Sequence, residues 1–174
     1  MGEGRGASLA AAEGRPEGFA QRAFKAARGR KEREVAYIDT SVIVAFIDEN
    51  DANHGKAVEM LNQLEGYWKV TSELVLVELA SVFSQAGFSE PVELAFYSVR
   101  RSGAQRASID FSRVIRTALL YSRELKLRTL DLLHVASCRT IGATVFATLD
   151  RELARRKNAI ANLLGIEVLH QLSG

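Results

Sequence analysis

The stretch VAYIDTSVIVAFID, residues 35–48, places one carboxylate where a purely structural sequence would carry Val or Ala. Val35, Tyr37 and Ile38 lead into Asp39, and Val42, Ile43, Val44, Phe46 and Ile47 follow it. Burying an ionised carboxylate costs several kcal/mol unless something neutralises it. The run EVAYID is short, β-branched and aromatic, and predicts a strand. TSVIVAFID opens with Thr40 and Ser41, residue types that cap helix N-termini, and predicts a short helix. Asp39 therefore stands at the carboxyl end of a strand, just before a helix. In open α/β sheets that is where ligands bind.

The same alternation continues outward. NHGKAVEMLNQLE spaces Ala57, Met60, Leu61 and Leu64 at helical intervals, and YWKVT reads as a second strand with Tyr67 and Trp68 in the core. SELVLVELASVFSQAG predicts a helix that ends at Gly87. SEPVELAFYSVRRSG predicts another, with Ser89 as cap, Pro91 in the first turn and Gly103 at the end; its Phe96 and Tyr97 suit a packing or dimer surface. RASIDF is a weaker third strand. SRVIRTALLYSRELKL is amphipathic, with Val114, Ile115, Ala118, Leu119 and Leu125 on one broad face. TLDLLHVASCRTIG predicts a mostly buried helix, TVFATLD a fourth strand, DRELARRKN a charged helix and IEVL a last strand. Strand alternating with helix argues a parallel sheet covered on both faces.

At 174 residues the chain is long enough for one domain with a substantial core. Apolar residues at 47% and charged residues at 25% fit an ordinary globular protein. The single Cys138 excludes an intrachain disulfide and a Cys-based metal cluster, and its apolar neighbours predict a reduced core thiol. No apolar run approaches the ~20 residues of a membrane helix, and no apolar block near the start resembles a signal peptide. A cytoplasmic protein is expected. Residues 1–34 differ in composition: they hold six of the thirteen glycines, eight Lys/Arg and five Glu, and predict a basic Gly/Ala-rich arm, disordered or partly helical. The body, residues 35–174, has fifteen Lys/Arg against sixteen Asp/Glu, so a polyanion partner must be held by local patches.

Three more carboxylates share the oddity of Asp39. Glu78 interrupts LVLVELASVF, Asp131 interrupts LRTLDLLHVASC, and Asp150 ends TVFATLD. Singly, each has a structural explanation: Asp39, Asp131 and Asp150 as caps or first-turn acids, Glu78 as a residue that projects from a helix edge or pairs with an Arg. Jointly, four acids at element junctions suggest one pocket. Four ionised carboxylates in one pocket repel each other, and a divalent cation removes the conflict. All-oxygen ligation selects Mg²⁺ or Mn²⁺, since Cys clusters and His pairs at metal spacing are lacking. Such a centre suits phosphodiester hydrolysis.

These residues in their contexts resemble the PIN-domain nucleases, in particular the VapC-type toxins of toxin–antitoxin pairs. The carrying segments are YIDTSVIVAFID around Asp39, TSELVLVELASVF around Glu78, TLDLLHVASC around Asp131 and TVFATLDRELA around Asp150, over about residues 35–170. The resemblance implies a doubly wound three-layer α/β/α sandwich with a parallel sheet of four or five strands. It implies Mg²⁺- or Mn²⁺-dependent cleavage of RNA leaving a 5′-phosphate and a 3′-hydroxyl, a homodimer, and a small antitoxin partner. Asp39, Glu78, Asp131 and Asp150 would be catalytic metal ligands or hold the metal's waters, with Ser41 and Thr148 supporting them. Ser41 as an ordinary helix cap remains open. An RNA-processing nuclease outside a toxin system and a catalytically silent RNA- or protein-binding module remain the alternatives. The arm is not part of the family's usual pattern.

Around the acids lie cations. Arg151, Arg155, Arg156 and Lys157 follow Asp150, and Arg128 precedes Asp131 by three. They read either as a solvated face or as a rim that tracks RNA phosphates. Arg100, Arg101 and Arg106 form a second basic cluster. His54, His134 and His170 are too scattered to form a ligand set; His134 shares a helix face with Asp131 and reads as a hydrogen-bonded, part-buried ring, while His170 reads as solvated.

Overall fold

The computed structural model describes residues 34–170, so the expected arm, apart from Glu34, lies outside the described residues. Five strands, β1 (Val35–Ile38), β2 (Trp68–Thr71), β3 (Gln105–Arg106), β4 (Val145–Ala147) and β5 (Glu167–Leu169), form one sheet in the order β3-β2-β1-β4-β5. Every pairing is parallel, with Tyr37 opposite Val70 on one side and Phe146 on the other. The central strand β1 is apolar on both faces, and Ala36, Tyr37 and Ile38 are fully buried.

The helices are α1 (Thr40–Ile47), α2 (His54–Gln63), α3 (Glu73–Gln85), α4 (Pro91–Arg101), α5 (Phe111–Leu125), α6 (Thr129–Ile141), α7 (Arg151–Arg155) and α8 (Lys157–Leu164). Helices α1 to α4 pack on one another, as do α5, α6 and α8. Parallel crossovers are right-handed, so connections that step from β1 toward β3 cover one face. Those that step toward β5 cover the other. The product is the expected α/β/α sandwich, with strand order reversing between β1 and β4. Its core includes Tyr37, Ile43, Met60, Leu79, Phe146 and Ile160, with Cys138 buried among them as expected. No helix among the described residues is long and apolar enough to cross a membrane.

Local expectations shift in five places. The third strand is Gln105–Arg106 rather than RASIDF. Asp110 ends the extended stretch by capping α5, its Oδ1 accepting from the Ser112 and Arg113 N–H groups. The cap of α4 is Glu90, not Ser89, because a residue before proline is kept out of the helical region and Pro91 opens the helix. The cap position of α1 falls on Asp39, so Thr40 and Ser41 enter the first turn and their hydroxyls turn elsewhere. Trp68 is 52% exposed because it opens β2, its indole N–H donating to Gln105 on the edge strand. Finally, the charged helix is only the first of two. It breaks at Arg156, and α8 follows, burying Ile160 and Leu164 one turn apart before Gly165 ends it at φ 65°.

Candidate metal centre

The reversal of strand order between β1 and β4 opens a crevice at their carboxyl ends. Asp39 closes β1 there, its N–H donating to Ala147 O at 3.0 Å, and Asp150 follows β4. Asp39 is 6% exposed. Its Oδ2 accepts from the hydroxyls of Ser41 at 2.6 Å and Thr148 at 2.8 Å. Each hydroxyl also accepts from the loop after β4: Ser41 Oγ from Leu149 N–H and Thr148 Oγ1 from Asp150 N–H, both at 3.0 Å. The two small residues thus clip the Asp39 carboxylate to the loop that carries Asp150. No hydrogen bond from a described residue reaches Asp39 Oδ1.

Glu78 reaches the same crevice from the middle of α3. Its Oε2 accepts from the Thr40 hydroxyl and from His134 Nε2, the latter at 2.7 Å. His134, on α6, is 2% exposed, and its Nδ1 meets the Tyr37 hydroxyl at 2.9 Å, which in turn meets Ser72 Oγ at 2.7 Å. Ser72, Tyr37, His134, Glu78 and Thr40 form one relay across the buried end of the sheet. Single atoms of Asp39, Glu78 and His134 lie within 4.8 Å of one another.

Asp131 and Asp150 share a cation. Arg128 donates through Nε to Asp131 Oδ2 at 3.0 Å and through Nη2 to Asp150 Oδ2 at 3.3 Å. Asp150 also caps α7, its Oδ1 accepting from the Glu152 and Leu153 N–H groups. The structural explanation of this residue, a helix cap, therefore holds, and its other oxygen meets Arg128.

The protonation states record the crowding. Burial pushes the Asp131 carboxyl up; Arg128 opposes this, the charges of Asp150 and Asp39 add to it, and the net is above its ordinary value. Burial alone would lower His134, but the Glu78 bond and the charges of Asp39, Glu78 and Asp131 outweigh it and raise the imidazole. Burial alone would raise Glu78, yet the bond and charge of His134, with the Thr40 hydroxyl, hold it below its ordinary value. The Arg128 guanidinium and the His134 imidazole, whose protonation these acids favour, offset the negative charge of the cluster.

The donor set fits a hard divalent cation. Asp39 and Glu78 each commit one oxygen to protein donors and keep the other open. Asp131 likewise binds Arg128 through one oxygen only. His134 contributes no open nitrogen, since both ring atoms are already bonded, so the imidazole orients Glu78 and the open donors are carboxylate oxygens. Thr40, Tyr37 and Ser72 were not singled out by sequence as site residues. The only signal for His134 was its place three residues after Asp131. Arg151, Arg155 and Lys157 line a cavity past Leu149 rather than the carboxylate cluster, and Arg156 sits exposed between α7 and α8. Arg106 pairs with Glu73 at 3.7 Å.

The PIN domain family model matches residues 36–159. The chain belongs to the PIN domain family. Solved structures share this PIN fold at low identity. A chain of VapBC2 from Rickettsia felis, bound to a promoter DNA fragment, is 16% identical with a TM-score of 0.55, covering 79% of this chain and 99% of that one. Mycobacterium tuberculosis VapC20, a Sarcin-Ricin loop cleaving toxin, is 19% identical with a TM-score of 0.53, covering 69% and 93%. A chain of a toxin–antitoxin complex from Klebsiella pneumoniae is 14% identical with a TM-score of 0.51, covering 77% and 95%. At these identities the likeness shows the fold of this PIN domain. Among curated proteins no sequence matches it.

Proposed function

We propose that this PIN domain is a divalent-metal-dependent endoribonuclease and the toxin of a toxin–antitoxin pair. PIN domains are generally nucleases. The observation that carries the reading is the pair of half-committed carboxylates, Asp39 and Glu78, which with His134 bring single atoms within 4.8 Å of one another, close enough to Asp131 for the Asp39 charge to act on it. Asp39, Glu78 and Asp131 would hold Mg²⁺ or Mn²⁺ directly or through water, and Asp150 would act from the rim. The ion, once bound, supplies an activated water and offsets charge on the phosphate and leaving oxygen. Ser41 and Thr148 fix the carboxylate of Asp39; Thr40 and His134 fix that of Glu78. Arg128, exposed and paired with Asp131 and Asp150, would be free to meet an RNA phosphate if a metal took up the charge of those acids. The products expected are a 5′-phosphate and a 3′-hydroxyl.

The toxin assignment, with an antitoxin partner, draws on the fold shared with the VapBC2 and VapC20 chains. A homodimer suits the apolar side chains that α3, α4 and their connection leave exposed, among them Val77, Phe88, Val92, Phe96 and Tyr97. The place of action is the cytoplasm, where RNA is available.

Purified protein incubated with labelled RNA in Mn²⁺, with and without EDTA and beside Asp39→Asn, tests the reading. Cleavage is expected only for the wild type with metal. Cleavage indifferent to both changes would reject the metal mechanism.

A further inference from the structure

Arg128 stands at the N-cap position of α6 and meets two acids with one side chain. Its Nε donates to Asp131 Oδ2 at 3.0 Å, three residues on and in the first turn of the same helix. Its Nη2 donates to Asp150 Oδ2 at 3.3 Å, on the residue that caps α7. The first contact is an ordinary helix-end pair. The second spans 22 residues and the whole of β4, and it ties the start of α6 to the start of α7. Nε and Nη2 are neighbouring donors of one planar fork, so the two carboxylate oxygens share a single cation from one side. Exposed ion pairs contribute little singly, but here one guanidinium joins two acids whose side chains are only 15% and 29% exposed.

The other acids are near. The charges of Asp150 and Asp39 both act on Asp131. Asp39 and Glu78, each with one uncommitted oxygen, make one place for a divalent ion. Asp131 and Asp150 offer a second cation position, and the guanidinium fills it. A divalent ion there would need the same two oxygens, so the ion and Arg128 exclude each other. Charge balance points the same way. One divalent ion and Arg128 offset all but one of the four carboxylate charges, and His134 takes up the remainder when protonated. A second ion beside Arg128 leaves the crevice positive before any phosphate arrives.

We infer that Arg128 holds the place of a second divalent ion between Asp131 and Asp150, so that the free protein takes up one ion, at Asp39 and Glu78, rather than a pair. The inference rests on the metal-dependent reading for that first ion. An ion at Asp39 and Glu78 leaves Arg128 where it is; only an ion between Asp131 and Asp150 releases it.

The test counts ions on the whole protein without RNA. Metal-free wild type, Arg128→Gln and Arg128→Gln/Asp150→Asn are titrated with Mn²⁺, and the electron paramagnetic resonance signal of free Mn²⁺ gives the number bound. Asparagine is a good helix cap, so the double variant keeps the start of α7. One ion is expected on wild type, two on Arg128→Gln, and one again on the double variant. The second step in Arg128→Gln should be tighter than any second step of wild type by about tenfold or more, the scale on which a neighbouring cation changes what a carboxylate binds. Equal counts on wild type and Arg128→Gln overturn the inference, and so does a second ion that persists without the Asp150 carboxylate. The two readings fail separately. Wild type that binds no ion while Arg128→Gln binds one defeats the metal-dependent reading alone, since the ion gained on losing the guanidinium is what this inference requires. Metal-dependent cleavage with equal counts defeats this inference alone.

Discussion

His134 Nε2 lies 2.7 Å from Glu78 Oε2, joining α6 to α3 across 56 residues of sequence. The pairing explains how a carboxylate can sit in the middle of an apolar helix. The imidazole takes up its charge, while Tyr37 and Ser72 behind it fix the ring. Glu78 is thereby held with one oxygen pointed to protein and one left over.

Replacing His134 with Ala should loosen Glu78 and cut Mn²⁺ affinity by about 10- to 100-fold, the usual cost of losing an outer partner of a ligand. Titration calorimetry measures it. An affinity equal to wild type would show that the imidazole does not orient the site.

Tyr37→Phe keeps the ring stack on Phe146, whose centroid is 5.3 Å away, and removes only the hydroxyl. Ser72 and His134 Nδ1 then lose a buried partner, a change worth about 1–3 kcal/mol of stability. Urea unfolding without metal should show a lower midpoint and an unchanged slope.

The metal-free protein should lose stability as pH rises. His134 has a raised folded value, so its contribution is complete below the ordinary histidine value of 6.5 and is lost as pH climbs through the folded value. Glu78 has a lowered folded value, so its contribution is present above the ordinary 4.5 and is lost as pH falls through the folded value. The stability difference between wild type and His134→Ala in EDTA should therefore be largest between these limits and shrink on the alkaline side. A difference that grows with pH would contradict the ion pair.

Asp131→Asn should abolish metal-dependent cleavage and yet stabilise the metal-free protein. The folded value of this acid is raised, so its ionised form is a cost that sets in as pH rises through its titration. A rise in melting temperature on the order of 1–3 °C at neutral pH is expected in EDTA. A fall would mean that the Arg128 bond outweighs the crowding.

Arg128→Gln should move two affinities in opposite directions. Removing the guanidinium from Asp131 and Asp150 frees oxygens and deepens the negative potential, so Mn²⁺ binds more tightly. RNA binds more weakly, since one cation that neutralises a phosphate is gone. Calorimetry and anisotropy read the two separately.

Much of this was legible in the chain itself. Asp39 stood out because a carboxylate in VAYIDTSVIVAFID has no apolar purpose, and the strand–helix alternation implied a parallel sheet with Asp39 and Asp150 at its carboxyl edge. Glu78 stood out for the same reason within α3. The errors were local. Capping depends on where a strand ends, so Thr40 and Ser41 passed as caps when their hydroxyls serve Glu78 and Asp39. The two-residue β3 and the break at Arg156 carry too little periodicity to be read.

Sequence determined which side chains are anomalous, because the cost of burying a charge is a property of the residue and its apolar neighbours. Tertiary structure alone decided how each anomaly is compensated. Hydrogen bonds act over about 3 Å, whereas His134 lies 56 residues from Glu78 and Thr148 lies 109 from Asp39 along the chain. Only the reversal of strand order at β1 and β4 brings such distant atoms within that reach.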